Sequence, residues 1–380
     1  MVRQLLATGR NYLLNAAGKP LGKKVVVFES DDWGSIRMPS LEIYRDLVSK
    51  GISLDKNPYN RFDSLESADD LEALFSVLKK FSDHKGNHPM ITANFIMANP
   101  DFEKISASAF ETYHYESFRD TYKRTKATEN SFDLVAQGQS ENLLRPQFHG
   151  REHLNVQRWL RLLRQNNQQL RQAFDRGVFC LDLKCDDMVR DNLMASFDYE
   201  TQSDKLFIEE SIIVGLKMFE QHFGFKSESI IAPCNVWGDH IEDIAAAQGV
   251  KYIQSLRGRC IPQPGRSYKK DFPVMGGQNA NGQYYLVRNV YFEPATTSKY
   301  DWITNAIAKI EAAFFWKKPA VISTHRLNFA GTIDEGNRTQ NLSLLFELLT
   351  QITKKWPDVE FMSSDALGKE YQFLYTKVKQ

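Results

Sequence analysis

The segment KVVVFESDDWG, residues 24–34, is an apolar run that ends in two adjacent carboxylates. Residues 24–28 predict a buried strand, because β-branched side chains pack well on a pleated surface. On an extended backbone Asp31 and Asp32 point to opposite sides, so one carboxylate can bind a cation while the other faces a substrate. A cation also relieves the repulsion between the two charges. The alternative is that Ser30 and the two aspartates cap a helix.

Short β-rich runs alternate with longer segments of helical period along the chain. This order predicts an α/β protein with a mainly parallel sheet or barrel. The further predicted strands are residues 90–95, 144–148, 178–183, 229–232, 252–254, 284–291, 320–323 and 359–362, and the predicted helices include 71–81, 156–174, 208–223, 301–315 and 342–355. In a β/α barrel the carboxyl ends of the strands form the active-site rim. We therefore expect the polar residues at strand ends to converge, among them Asp31, Asp32, Asn94, His149, Asp182, Glu293 and His325.

The segment HGREH, residues 149–153, carries two histidines four residues apart between a predicted strand and a predicted helix. On a helical turn this spacing brings both imidazoles to one face, where they and an aspartate can bind a divalent metal. The alternative is a pair of ordinary hydrogen-bonded or exposed histidines. The segment also fits the His-x-x-Glu-His pattern of the inverted zinc peptidases, with Glu152 as base. Pro146 and Gly150 disfavour the regular helix that carries that pattern.

The segment AVISTHR, residues 320–326, places a third histidine at the end of a predicted strand. Imidazole titrates near neutral pH, so His325 is suited to donate a proton, although a buried histidine that bonds to the backbone has the same sequence pattern. Aromatic, amide and charged side chains near the strand ends suit a sugar, which needs apolar stacking and directional hydrogen bonds. The predicted substrate-binding residues are Trp33, Asn94, Glu293 and Arg326.

Composition limits the class of protein and its partners. The 380 residues include 48 Lys and Arg against 47 Asp and Glu, and no basic run predicts a nucleic-acid surface. No apolar run approaches the roughly 20 residues that cross a bilayer, and the first residues predict a short amphipathic helix instead of a signal peptide. The cysteines lack CxxC spacing, so reduced thiols are expected at Cys180, Cys185, Cys234 and Cys260. These properties predict a cytoplasmic globular enzyme with no transmembrane segment.

The fragments, taken in chain order, resemble the motifs of the polysaccharide deacetylases, the NodB-homology proteins of carbohydrate esterase family 4. The family carries a Thr-Phe-Asp-Asp-Gly motif, a His-Ser/Thr-x-x-His motif, an Arg-x-Pro motif and a late Leu-x-His strand. The similar segments here are ESDDWG (29–34), HGREH (149–153), IAP (231–233) and STH (323–325), and the agreement in order extends over about residues 24–365.

The resemblance implies a fold and a domain organisation. The fold is an α/β, distorted (β/α)7 barrel of the polysaccharide deacetylase type, built as a single elaborated domain. Residues 1–23 are expected to form an N-terminal helical extension and residues 24–380 the barrel, with an insertion at about 98–138.

The resemblance also implies roles for individual residues. Asp32, His149 and His153 are expected to bind the metal, with Asp31 as general base and His325 as general acid. Zinc is the usual ion in such a site, and Co2+, Ni2+, Mn2+ or Fe2+ also fit two histidines and one carboxylate. The implied reaction is attack by metal-bound water on an N-acetylated or O-acetylated sugar or polysaccharide precursor, which releases acetate.

Three positions depart from the family's pattern. Gly150 stands where the family has Ser or Thr, and Trp33 precedes the first motif's glycine. Ile231 stands where the family has the arginine that holds the general base. The candidates to replace that arginine are Arg145, Arg151, Arg288 and Arg326.

Two other functions compete with deacetylation. A metal-independent glycosidase on a related barrel would use two carboxylates, for which Asp31 and Glu293 are the candidates. A non-catalytic carbohydrate-binding relic would keep the fold without turnover, which the absent motif arginine makes plausible.

Overall fold

The computed structural model describes residues 11–183, 192–263 and 267–376. The strands are β1 (Val25–Trp33), β2 (Ile91–Ile96), β3 (Ala98–Pro100), β4 (Tyr115–Ser117), β5 (Leu144–Gly150), β6 (Ser229–Ile230), β7 (Tyr252–Ser255), β8 (Arg259–Pro262), β9 (Tyr268–Asp271), β10 (Tyr284–Val287), β11 (Val290–Tyr291), β12 (Ala320–His325) and β13 (Glu360–Met362). Short 3-10 helices lie at Pro233–Asn235, Pro294–Thr296 and Arg326–Asn328.

The α-helices lie mainly between these strands. They are α1, which includes residues 11–16, α2 (Leu41–Ser49), α3 (Pro58–Phe62), α4 (Ala68–Leu78), α5 (Phe102–Ala107), α6 (Phe118–Tyr122), α7 (Ser131–Ser140), α8 (Val156–Arg164), α9 (Gln168–Phe174), α10 (Gln202–Phe223), α11 (Asp239–Ala247), α12 (Trp302–Phe315), α13 (Glu335–Lys355) and α14 (Ser364–Thr376). None of the helices in the described ranges has both the length and the apolar character of a membrane span.

The main sheet is parallel and curls into a barrel. Its strands are hydrogen-bonded in the order β10-β7-β6-β5-β2-β1-β12-β11, with β13 added along the start of β1. β10 pairs with β7 and β11 pairs with β12, and the two are halves of one extended segment. The chain changes partner between Arg288, whose N–H donates to Ser255, and Asn289, whose N–H donates to Val321. This segment completes a ring of seven strands, in agreement with the predicted (β/α)7 architecture.

The central position of β1 follows from its sequence. All nine of its residues are buried, as expected for a strand with neighbours on both sides and helices behind it. The larger apolar cluster lies between the barrel and its surrounding helices. A second apolar cluster lies to one side and joins α2, α5, α8, α9 and residues 178–183.

Two predicted elements differ in the structure. Residues 178–183 are buried but form no strand, because this apolar run packs in the second cluster without a neighbouring strand to pair with. The predicted helix 156–174 is two helices, α8 and α9, because Asn166 adopts a φ of 59° between them. Asn167 then caps α9 by accepting a hydrogen bond from the N–H of Leu170.

Parts of the predicted extension and cysteine set lie outside the described residues, namely residues 1–10 and Cys185. The described cysteines Cys180, Cys234 and Cys260 are free thiols. Between β2 and β5 the chain forms β3, α5, β4, α6 and α7, and the predicted division into extension, barrel and insertion stays a prediction.

Candidate metal centre

β1 ends in a bulge at Asp32. The pairing of β1 with β2 shifts register between Ser30 and Trp33, and Asp32 has a φ of 76°, which non-glycine residues rarely adopt. The bulge interrupts the alternation of side chains, so that Asp31 and Asp32 line the same cavity. The prediction that they point to opposite sides is therefore wrong. Backbone strain of this kind is concentrated at functional sites.

β5 contains a second bulge, at His149. Its pairing with β2 skips this residue, and Gly150 follows with a φ of 139°. A Cβ at position 150 would lie 3.1 Å from the carbonyl oxygen of Glu152, so both the space and the backbone conformation favour glycine. His153 lies in the loop before α8. A bulge and a turn thus bring the two histidines together, and the predicted helical turn is wrong.

Glu152 does not join the histidines at the cavity. It accepts a hydrogen bond of 2.6 Å from Nε of Arg151 and one of 3.0 Å from the hydroxyl of Ser211. The base that the inverted zinc peptidase pattern requires is therefore directed away from the cavity that the histidines line.

Asp32, His149 and His153 form a buried group in which one ligand atom from each lies within 4.8 Å of the others. Oδ1 of Asp32 is 3.5 Å from Nε2 of His149 and 3.2 Å from Nε2 of His153. Nδ1 of His149 lies 2.9 Å from the carbonyl oxygen of Ile231, to which it donates. That hydrogen bond leaves the lone pair on Nε2, the nitrogen directed at Asp32. Ile231, which stands where the polysaccharide deacetylase motif has arginine, therefore orients a histidine through its backbone.

The protonation states of the group suit a cation. Burial raises the pKa of Asp32, but the charge of Arg37 is the largest of the effects that outweigh it and hold the pKa well below its usual range. Burial lowers the pKa of His153 to about 3, and the nearby Arg37 charge acts in the same direction. An ionised carboxylate and a neutral imidazole are the forms that bind metal.

The buried atoms of this group that lack hydrogen-bond partners in the described ranges also fit a bound cation. Oδ1 of Asp32 and Nε2 of His149 are buried without a hydrogen-bond partner among the described residues. Such atoms are costly to bury unless a ligand satisfies them. Oδ2 of Asp32 is already taken, since it accepts a hydrogen bond of 2.8 Å from Arg37. One carboxylate oxygen and two imidazoles are thus left for an ion, the donor set of a catalytic zinc site with an open position.

Asp31 is held by the barrel interior. Oδ1 and Oδ2 accept hydrogen bonds of 2.6 and 2.7 Å from the two terminal nitrogens of Arg288, and Asn94 donates a third bond of 2.7 Å to Oδ1. Burial raises the pKa of Asp31, but the Arg288 guanidinium outweighs it and holds the pKa well below its usual range. A bidentate contact of this kind fixes the orientation of the carboxylate as well as its charge.

Arg288 is itself anchored below Asp31. Its Nε donates a hydrogen bond of 2.6 Å to Glu29, two residues before Asp31 on the same face of β1. Burial raises the pKa of Glu29, against the opposing charge of Arg288. Of the four candidate arginines, Arg288 is the one that contacts Asp31. The others pair elsewhere, Arg145 with Asp365, Arg151 with Glu152, and Arg326 with Asp63 and Glu66.

His325 faces Asp31 across adjacent strands. The two residues are register partners on β12 and β1, and Nε2 of His325 lies 3.7 Å from Oδ2 of Asp31. Nδ1 of His325 lies 2.5 Å from Oε1 of Glu293 and 3.2 Å from the hydroxyl of Tyr59. Burial lowers the pKa of His325, but the charge and hydrogen bond of Glu293 outweigh it and raise the pKa to about 9. The imidazole is therefore protonated at neutral pH, with Nε2 on the side of Asp31.

The predicted substrate-binding role of Trp33 is wrong. Its ring is 1% exposed and packs between Phe95 and Phe329 in the larger apolar cluster, and Nε1 donates to the hydroxyl of Ser30. The bulge at Asp32 turns the following residue into the core, away from the cavity.

Asn94 and Arg326 also lie outside the cavity lining. Asn94 is buried beneath Asp31 and exchanges hydrogen bonds with Gln254, so it supports a carboxylate and has no surface for a sugar. Arg326 is fully buried in its ion pairs. The substrate-binding prediction is wrong for both. Glu293 does line the cavity, although Oε1 lies against His325 and Oε2 accepts a hydrogen bond of 2.7 Å from Asn328.

The cavity has a volume of about 430 Å3 and opens above the barrel. Sequence reasoning did not identify two of its lining residues, Arg37 and Tyr59, which come from the segment between β1 and α4. Neither follows a strand, so no strand-end signal marks them. Asp182, near the end of the predicted strand 178–183, also lines the cavity, although that strand does not form.

No family model and no curated protein sequence matches this chain. A protein assigned as a glycoside hydrolase/deacetylase from Parabacteroides distasonis is 10% identical and aligns with a TM-score of 0.50 over 94% of this chain and 74% of that chain. Proteins assigned as polysaccharide deacetylases from Mycobacterium smegmatis and Pseudomonas aeruginosa PAO1 are each 10% identical with a TM-score of 0.46, over 94% and 93% of both chains respectively. The likeness to the Parabacteroides protein confirms the predicted fold class.

Proposed function

We propose that this protein is a metal-dependent deacetylase that removes acetyl groups from an N-acetylated or O-acetylated sugar or polysaccharide precursor. The observation that carries the proposal is the meeting, in one cavity, of unpaired ligand atoms on Asp32 and His149 with Asp31 and His325 beside them. The resemblance of the sequence segments to the polysaccharide deacetylase motifs supports the same activity.

Asp32, His149 and His153 would hold the cation in this scheme. A divalent cation there supplies a Lewis acid for the acetyl carbonyl and makes water a stronger acid. Zinc is the expected ion, and Co2+, Ni2+, Mn2+ or Fe2+ share the preference for this donor set. Arg37 keeps Asp32 ionised and leaves only Oδ1 free to bind.

Asp31 acts as the general base. Its carboxylate stays ionised and fixed because Arg288 binds both oxygens. A carboxylate with so low a pKa is a weak base in water, so it depends on a water that has already been made acidic. Asn94 fixes the same carboxylate from below, which limits the geometries in which it can take a proton.

His325 acts as the general acid. Glu293 keeps its imidazole protonated and binds Nδ1, which leaves the Nε2 proton to be transferred to the leaving nitrogen or oxygen of the substrate. Glu293 is therefore a positioning residue for His325. Transfer of the proton neutralises the leaving group as the bond to the acetyl carbon breaks.

The glycosidase alternative is less consistent with these contacts. Glycoside cleavage needs one carboxylic acid that is protonated near neutral pH. Arg288 holds Asp31 in the ionised form, and both oxygens of Glu293 are already taken, one by His325 and the other by Asn328. The unpaired ligand atoms would also have no function in that reaction.

The test is acetate release from N-acetylated and O-acetylated oligosaccharides by zinc-loaded protein, compared with Asp32→Asn. The proposal expects acetate from the unmodified protein, and loss of both stoichiometric zinc and turnover in the variant. Asp133→Asn, which neutralises an exposed carboxylate on α7, serves as the control and should retain both. Sugar binding without acetate release would support the non-catalytic relic, and reducing sugar formed in the presence of chelator would support the glycosidase.

A further inference from the structure

Four carboxylates line the cavity among the described residues, and three of them are paired with a cationic side chain. Asp31 is paired with Arg288, Asp32 with Arg37, and Glu293 with His325. The fourth, Asp182, accepts hydrogen bonds from neutral amides alone within the described part of the chain.

Asp182 is fixed in place but remains open to a ligand. Its Oδ2 accepts hydrogen bonds of 2.5 Å from Asn57 and 3.2 Å from Asn60, on opposite sides of the start of α3. Its Oδ1 accepts none from the described residues, and the residue is exposed at the cavity. The free oxygen of an oriented carboxylate can accept a hydrogen bond from a substrate, and no ion pair has to break first.

The arginines that line the cavity in the described ranges do not offer a matching site for an anion. Arg37 donates to Asp32 and lies 3.5 Å from Asp63, and Arg288 is shared by Asp31 and Glu29. An anionic substrate group would have to displace these carboxylates or approach Asp182 without compensation. Both routes cost binding free energy, because like charges repel and a buried carboxylate loses its partner.

We propose that Asp182 determines substrate specificity: it selects an acetylated sugar whose neighbouring unit carries an ammonium group, such as a partly deacetylated amino-sugar chain, and disfavours a neighbour that carries a carboxylate. The inference rests on the proposed function for the identity of the ligand as a sugar. An exposed carboxylate raises the affinity for an ammonium group several-fold and lowers the affinity for an anion several-fold. The expected discrimination between the two is therefore about tenfold or more.

The experiment measures equilibrium binding and acetate release for two matched disaccharides. Both carry one N-acetylglucosamine unit, and the second unit is glucosamine in one and glucuronic acid in the other. In the unmodified, zinc-loaded protein the ammonium-bearing disaccharide should bind about tenfold tighter. Asp182→Asn should bring the ratio of the two dissociation constants to within about threefold, and raising the salt concentration should lower the ratio in the unmodified protein.

The control is Asp175→Asn, which removes the charge of an exposed carboxylate at the end of α9. It should leave the ratio unchanged. A ratio that Asp182→Asn does not alter, or no binding of either disaccharide, overturns the inference. Discrimination in binding without acetate release would contradict the proposed function alone, and acetate release without discrimination would contradict the role of Asp182 alone.

Discussion

Arg288 is the residue on which the proposed general base most depends. Its guanidinium binds both oxygens of Asp31, and a lysine keeps the charge but cannot make the bidentate contact. We expect Arg288→Lys to lower kcat by about a hundredfold, because a displaced catalytic group loses its alignment with the reacting atoms. Zinc content should stay stoichiometric, since Arg288 contacts none of the three ligand residues.

The matched control is Arg145→Lys, which alters another of the candidate arginines, one that pairs with Asp365 away from the cavity. Its kcat should stay within about twofold. Equal losses in the two variants would contradict a positioning role for Arg288.

Glu293 sets the pH range over which His325 can donate a proton. Glu293 raises the pKa of His325 to about 9, so the proposed general acid is protonated at neutral pH and loses its proton only as the pH passes that value. Glu293→Gln removes the negative charge and should move the alkaline limb of the kcat profile down by about 1–2 pH units. The measurement is kcat from pH 6 to 10 with the zinc-loaded protein. An alkaline limb that does not move would show that another group controls it.

Sequence reasoning placed a site residue correctly where that residue lies at the end of a strand that forms. It failed where side-chain packing decides which way the residue points. Strand ends brought Asp32, His149 and His325 to one cavity, as expected. Trp33 comes directly after Asp32 in sequence, but the positive φ of Asp32 turns the Trp33 ring into the core. Choosing Arg288 among the candidate arginines required the barrel closure, which pairs the segment 284–291 with β7 and β12 and lets the Arg288 side chain reach Glu29 and Asp31 on β1.

The two bulges are the elements that assemble the metal centre. Gly150 has a φ of 139°, and an added Cβ would lie 3.1 Å from the carbonyl oxygen of Glu152, so Gly150→Ala should strain the turn that joins the two histidines. We expect a loss of about 1–3 kcal/mol of stability and at least a tenfold weaker zinc affinity. Chemical denaturation and competition with a chelator measure the two effects.

Gly224→Ala is the control for this substitution. Gly224 ends α10 with a φ of 75°, and nothing lies within 4 Å of an added Cβ, so the backbone cost is similar but remote from the site. This variant should lose stability and retain zinc affinity. If both variants bind zinc as the unmodified protein does, the turn at Gly150 is not needed to align the histidines.

The presence and type of an element were predictable where one pattern dominates. The valine-rich β1 and the long helices α10 and α13 form where they were predicted, although β1 ends five residues later and the two helices begin six and seven residues earlier than predicted. Residues 178–183 have the apolar composition of a strand, but they pack against α8 and α9 in the second cluster. The pattern of apolar residues indicates that a segment is buried, but it does not indicate whether a strand lies beside that segment.

At the scale of the whole molecule, the barrel encloses the Asp32 carboxylate and the His149 imidazole, and a cation bound to them should stabilise the folded protein. Asp32 and His149 have buried ligand atoms without partners among the described residues, so on the proposed function zinc should bind the folded state in preference to the unfolded chain. Free zinc at a thousandfold over its dissociation constant should add about 4 kcal/mol to the free energy of unfolding. Thermal unfolding with zinc and with chelator measures this difference as a change in Tm. Asp32→Asn should abolish the dependence on zinc, and a variant that keeps it would place the stabilising ion elsewhere.

The most direct test of the account is the anomalous scattering of a crystal grown with zinc, recorded on both sides of the zinc absorption edge. The account predicts one strong difference peak within about 2.0–2.2 Å of Oδ1 of Asp32, of Nε2 of His149 and of a ring nitrogen of His153. A cavity with no peak at these three residues, or a peak that Asp32→Asn leaves in place, would contradict it.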